Sequence, residues 1–315
     1  MARRGCGIDA IGQDLLLGCM LQNLVIKTAP LPLGQAGLVV LYASDGQPPA
    51  AAAAQIWART GLDFERIAAS IGFKGKPGQA IDIAGPNGLD AKRLLVLGAG
   101  KADPDKPLSG AAWADRGGSL AAKTLGLAGG SVSVVLDGTE ATPAAVAELA
   151  AGLRLRHYKF DKYKSRKKDD DTVEEITVTL HVADPAAADA AIAARQPAVE
   201  GQILARDLIN EPPNVLGTVE FADRAAALSG LGVEVEVLGQ GELEALGMYS
   251  MLSVSQGSAR PPRLVVMRWN GGDPGTAPVA FVGKGVVFDS GGISIKPAAG
   301  MEEMKGDMGG AAAVT

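Results

Sequence analysis

From Leu24 onward, short apolar runs of strand length alternate with Ala-rich stretches of helical composition. Gly37-Leu-Val-Val-Leu-Tyr42 is followed by the stretch Ala50 to Thr60 and then by Arg93-Leu-Leu-Val-Leu97. Ser131-Val-Ser-Val-Val-Leu136, a helix over Pro143 to Leu153 and the alternating run Ile176-Thr-Val-Thr-Leu-His-Val182 continue the series. Runs of this length predict strands, and their alternation with helices predicts an α/β sandwich. The segment Asp184 to Arg195 predicts a helix that Pro197 interrupts, with another over Val199 to Ile209. A domain boundary is placed near residue 190, giving an extension without structure of its own at 1–22, a first domain at 23–190 and a second at 191–315. The second domain opens with a helix after Thr218 and a strand at Val233-Glu-Val-Glu-Val237. A helix through Gly241 to Leu246 and strands at Arg263 to Met267 and Val279 to Val282 follow. The later strands are so apolar that they are expected to be central in their sheet.

Composition narrows the chemistry. The chain has 315 residues, 47% of them hydrophobic, enough for two real cores. A formal net charge of −5 argues against whole-molecule attraction to nucleic acid or an anionic membrane, and no apolar run approaches membrane-spanning length. Both cysteines, Cys6 and Cys19, lie in the first twenty residues, which fits a reducing cytosol and removes disulfides and thiol chemistry from the folded part. Arg3-Arg4 and the apolar stretch before Cys19 faintly suggest an export signal, but Asp9, Gln13 and Asp14 interrupt it. His157 and His181 are read as structural, His181 within a strand, which leaves no His-based triad or zinc site. The basic run Lys162 to Lys168, turning at once into Asp169-Asp-Asp171, reads as a solvated loop.

Candidate chemistry gathers after the strand Val279-Ala-Phe-Val282. There stand Gly283-Lys-Gly-Val-Val-Phe-Asp-Ser-Gly-Gly-Ile-Ser-Ile-Lys296 and, shortly after, Met304-Lys-Gly-Asp-Met-Gly-Gly310. In an open α/β sheet ligands bind beyond the carboxyl ends of strands, and two carboxylates and two lysines would arrive at one such end. Asp289 and Asp307 are hard oxygen donors suited to Zn²⁺, Mn²⁺ or Mg²⁺, and the glycine pairs let backbone turn tightly and approach closely. By spacing alone the loop could instead cradle a phosphate, or the aspartates could be caps and ion-pair partners. Gly283-Lys284 lacks the loop and ending of a P-loop, and Gly98-Ala-Gly-Lys101 lacks the third glycine of a dinucleotide fingerprint.

The exact wording of Lys284 to Pro297 and of Met304 to Ala312 closely resembles the cytosol, or leucyl, aminopeptidase family. Ala205-Arg-Asp-Leu-Ile-Asn-Glu-Pro-Pro-Asn214 resembles its interdomain segment, and Gln256-Gly-Ser-Ala-Arg-Pro-Pro262 and Phe73-Lys-Gly-Lys-Pro-Gly78 fit two further landmarks. The resemblance runs over roughly residues 24 to 315. It implies an N-terminal macro-like α/β domain followed by an incomplete α/β/α metallopeptidase catalytic domain. It also implies two divalent metal ions, Mn²⁺ or Zn²⁺, bridged by Asp289, with Lys284 and Asp307 ligating one of them. Lys296 would stabilise the oxyanion and bind substrate, and Met304 would line the pocket for the first side chain of a peptide with a free N-terminus. A cytoplasmic homo-hexamer is the assembly the resemblance implies, with no membrane or nucleic-acid partner.

The family's next cluster, Asn-Thr-Asp-Ala-Glu-Gly-Arg, is not reached before Thr315. The expectation is therefore of at most a partial metal site and little or no activity for this chain alone, with poorly covered apolar surface around Val279 to Val287. The alternatives are a non-catalytic binding module using the N-terminal domain, or an assembly partner of complete subunits.

Overall fold

The computed structural model describes residues 24–31, 37–101, 105, 107–127, 130–138, 140–165 and 175–315. The extension expected at 1–22 and the basic run from Arg166 onward lie outside these. The chain divides into two compact units between Val199 and Glu200.

The first unit is built on a six-stranded sheet. Its strands are β1 (Leu24–Pro30), β2 (Leu38–Ser44), β3 (Ala80–Ala84), β4 (Arg93–Gly100), β5 (Ser131–Val135) and β6 (Ile176–Val182), in the spatial order β1-β6-β5-β2-β4-β3. All neighbours are parallel except the edge strand β3, which runs antiparallel to β4. Side chains alternate across a strand, so β2 sends Leu38 and Val40 to one face and Val39, Leu41 and Ala43 to the other, all buried. Helices α1 (Ala51–Arg59) and α2 (Phe64–Ile71) cover the second face with Ile56, Trp57 and Phe64. The first face is covered by α3 (Gly110–Thr124) and α4 (Pro143–His157), through Trp113, Leu120, Val146, Leu149 and Leu153. Burial on both faces explains why these strands read as continuous apolar runs. His181 is buried within β6, where a proton on Nδ1 would donate to the Pro30 carbonyl at 3.1 Å.

Helix α5 (Pro185–Asn210) carries the division between units, and it corrects one expectation: Pro197 lies inside it and does not end it. The missing N–H of a proline costs one helical bond. Buried contacts of Val199, Ile203 and Leu208 further along the same helix offset that loss.

In the second unit α6 (Thr218–Ala226), β7 (Glu234–Leu238), α7 (Gln240–Ala245), α8 (Tyr249–Ser255) and β8 (Leu264–Arg268) follow in order. A 3₁₀ turn, Met301–Met308, then leads into α9 (Gly309–Val314). Strands β7 and β8 pair antiparallel with each other alone among the described residues. The core here is small: Leu208, Leu216, Phe221, Met308 and Ala312, flanked by Ile209 and Val287. Val279 to Val282, expected as a central strand, forms no strand and pairs with none among the described residues. Val279, Phe281 and Val282 are 78%, 77% and 96% exposed. A strand exists only through its ladder, so apolar, β-branched composition without a hydrogen-bonding neighbour leaves extended chain in solvent.

Candidate functional site

The two loops that carry the candidate chemistry are built by backbone bonds before any side chain meets. The N–H of Ala311, in the first turn of α9, donates to the carbonyl of Lys284 at 2.9 Å, which ties the segment after Gly283 to the turn bearing Asp307. Met308, next to Asp307, is 1% exposed and anchors that turn in the small core. Lys284 Nζ then donates to Asp307 Oδ1 at 2.8 Å.

Asp289 heads a closed loop. The N–H of Gly291 donates to Asp289 Oδ1 at 2.9 Å, and that of Lys296 donates to the Ser290 carbonyl at 3.0 Å. Gly291 has φ of 94°, and a Cβ there would collide with the Ser294 carbonyl oxygen and lie 3.0 Å from Lys296 N. Glycine is thus required for both conformation and space. The closure returns Lys296 to Asp289, where Nζ donates to Oδ2 at 2.7 Å.

All four charged residues singled out in the sequence, Lys284, Asp289, Lys296 and Asp307, therefore meet as two ion pairs. The Lys296 ammonium, bonded to Asp289, holds that carboxyl below the usual carboxylate range. The Gly291 N–H adds to this, as does the charge of Lys284, so the two pairs share one field. Met304 sits half-buried on the same turn, three residues before Asp307. Sequence reasoning missed Met308 as the anchor; its apolar character beside an aspartate was the available signal.

Neither pair is buried enough to matter much for stability, since exposed ion pairs contribute about 0–1 kcal/mol. Their arrangement fits a cation in part. Asp307 Oδ2 is buried without a hydrogen-bond partner, a lone pair left uncommitted in a place where that is costly. Asp289 and Lys284 could add an oxygen and a nitrogen by exchanging their present partners. Among the described residues no three His, Cys, Asp or Glu side chains gather, so the donor set is smaller than a full two-ion cage.

Comparison with known proteins settles the family. Residues 38–167 match the N-terminal domain of the cytosol aminopeptidase family, and residues 203–315 match its catalytic domain. The chain belongs to the cytosol aminopeptidase family. It is 48% identical over 293 residues to a protein of Rhizobium rhizogenes named "Probable cytosol aminopeptidase", covering 92% of this chain and 57% of the relative. A protein of the same name from Allorhizobium ampelinum is 50% identical over 301 residues, with 94% and 59% covered. The chain thus spans under three fifths of the length of these relatives. Among solved structures, the bottromycin maturation enzyme BotP in complex with Mn aligns with a TM-score of 0.67 at 30% identity, covering 89% of this chain and 55% of that one. A mutant tomato leucine aminopeptidase aligns with a TM-score of 0.69 at 21% identity, covering 92% and 58%, a likeness that speaks to the fold. No helix among the described residues is long and apolar enough to cross a membrane.

Proposed function

We propose that this chain carries the N-terminal domain and part of the catalytic centre of a metal-dependent leucyl aminopeptidase, which releases single residues from the free N-terminus of peptides. The observation that carries the reading is the convergence of Lys284, Asp289, Asp307 and Lys296, with one buried carboxylate oxygen left unpaired. Family membership supports it, and the Mn in BotP indicates the kind of ion.

Asp289, Asp307 and the neutral amine of Lys284 are the groups that would hold divalent cations here. Bound divalent ions would supply polarisation of the scissile carbonyl and a water whose pKa falls towards about 7. The remaining work falls to the chain's own groups. Lys296 would keep its charge and stabilise the negative oxygen that develops on the attacked carbonyl. Met304 offers a flexible thioether to a leucine-like side chain. The cytosol and a homo-hexamer are the proposed setting of the active family member. With two carboxylates and one amine as donors, these 315 residues alone are expected to give little or no turnover of a leucine anilide, and robust turnover would overturn that part.

Titration calorimetry with Mn²⁺ tests the centre directly. Saturable uptake should weaken in Asp289→Asn and in Asp307→Asn by more than the roughly 10–100-fold that loss of an outer-shell partner costs. An isotherm that both substitutions leave unchanged would sink the assignment.

A further inference from the structure

We infer that Gly283 and Gly310 are positioning residues that set Lys284 against Asp307, an inference resting on the metal-dependent reading above. Neither glycine is needed for its own backbone angles, because neither has φ in the left-handed region. What both supply is the absence of a Cβ. One built on Gly283 would overlap the carbonyl oxygen of Gly310 and lie 2.6 Å from Cα of Ala311. One built on Gly310 would lie 3.0 Å from Lys284 N and 3.5 Å from Lys284 O. The two backbones therefore touch directly at a single crossing, locked by the 2.9 Å bond from Ala311 N–H to the Lys284 carbonyl.

Lys284 follows one of these glycines immediately, and Asp307 precedes the other by three residues on a turn pinned by buried Met308. The separation of the two side-chain roots is thus set by how closely the backbones approach. Carbon atoms in contact rest about 3.5–4.0 Å apart, so alanine at 283 must part the segments by roughly 1 Å. With the side-chain rotamers held, that shift takes the 2.8 Å Lys284–Asp307 contact beyond hydrogen-bonding distance. Alanine at 310 needs only a few tenths of that movement. Alanine at 285 would meet just the Cβ of Ala311 at 3.4 Å, an ordinary contact.

A plain structural role predicts something different at 310. Gly310 is exposed and lies within α9, where alanine is the better helix former, so Gly310→Ala should leave the unfolding midpoint unchanged or raise it. Positioning predicts weaker metal binding in the same variant. The test is Mn²⁺ titration of the full chain and its three alanine variants, with thermal unfolding alongside. Gly283→Ala should bind roughly 10–100-fold more weakly, the cost of losing a group that orients a metal ligand. Gly310→Ala should bind more weakly by a smaller factor without loss of midpoint, and Gly285→Ala should match the parent. Parent-like binding in both Gly283→Ala and Gly310→Ala, or an equal loss in all three, overturns the proposal. Should the parent take up no Mn²⁺, the metal reading fails by itself. Crystal structures of Gly283→Ala then decide the positioning: a Lys284–Asp307 separation beyond hydrogen-bonding distance upholds it, and the retained 2.8 Å contact refutes it.

Discussion

Arg93-Leu-Leu-Val-Leu97 and Val279-Ala-Phe-Val282 read alike along the chain, yet they meet opposite fates. Leu94 and Val96 are 0% exposed in β4, between β2 and β3 and with helices on the sheet, whereas Val282 is 96% exposed and pairs with nothing among the described residues. Fully burying a Val, Leu or Phe side chain is worth about 1.5–3 kcal/mol, so the first run anchors its unit while the second contributes almost none of that. Composition gives a segment the capacity to be core; neighbours decide whether it is.

The largest effect separates these two runs by mutation. Leu94→Ala should destabilise the first unit by about 2–5 kcal/mol, through lost transfer energy and the cavity left behind. Phe281→Ala should change stability by no more than about 0.5 kcal/mol, as exposed substitutions do. Trp57 and Trp113 are buried in the first unit and Trp269 lies in the second, so the fluorescence of chains that keep only the first two, or only the third, reports each unit separately during urea unfolding. Comparable losses from the two substitutions would mean that Val279 to Val282 is packed after all.

Where sequence pattern worked and where it failed follows the same line. Strands β2, β4, β5 and β6 were legible because burial leaves an apolar run bounded by turns, whereas β1 and the edge strand β3, with exposed Lys27, Pro30, Asp82 and Ala84, were not singled out. Helix α3 lay in a stretch for which no element was expected; it carries Gly117-Gly118 at its middle, and the burial of Trp113, Leu120 and Ala121 keeps it whole. Pro197 misled for the same reason. At the site, residue types and wording exposed the charged groups and the family. Their pairing was not readable, because Lys284 and Asp307 stand 23 residues apart and meet through a backbone contact that no local pattern encodes. Nor could the pattern show that Val279 to Val282 lacks a neighbour, since pairing partners are non-local.

Helix starts sharpen the contrast on a smaller scale. In the second unit α6 and α7 are capped locally, with Glu220 and Glu242 each accepting from a backbone N–H three residues earlier at 3.0 Å. In the first unit α1 has no side-chain cap at Ala50, and the Ala53 N–H instead donates to Asp137 Oδ2, beyond β5, at 2.7 Å. That bond also ties the chain just beyond β5 to a helix that covers the sheet. Asp137→Ala should therefore cost about 1 kcal/mol or somewhat more. Glu242→Ala, exposed and local, should cost less in the same denaturation experiment. The reverse order would show that the long-range cap is incidental.

The smallest effect is a difference in acid response. His157 stands in the last turn of α4, where a helix C-terminus favours a cation, yet burial first and the charge of Lys159 second push its pKa below the usual histidine value. The folded first unit therefore prefers neutral His157. Its unfolded chain takes up the proton near pH 6.5, so the associated stability is fully present above about pH 6.5 and is lost as pH falls through the lower folded value. Asp289, in the second unit, is depressed as well, but its stabilising charge survives until pH falls below about 3.9 and the group lies in solvent. Acidification from about pH 7.5 to 5.5 should accordingly lower the transition reported by Trp57 and Trp113, and His157→Gln should reduce that slope. A slope unchanged by the substitution would place the acid sensitivity of this unit elsewhere.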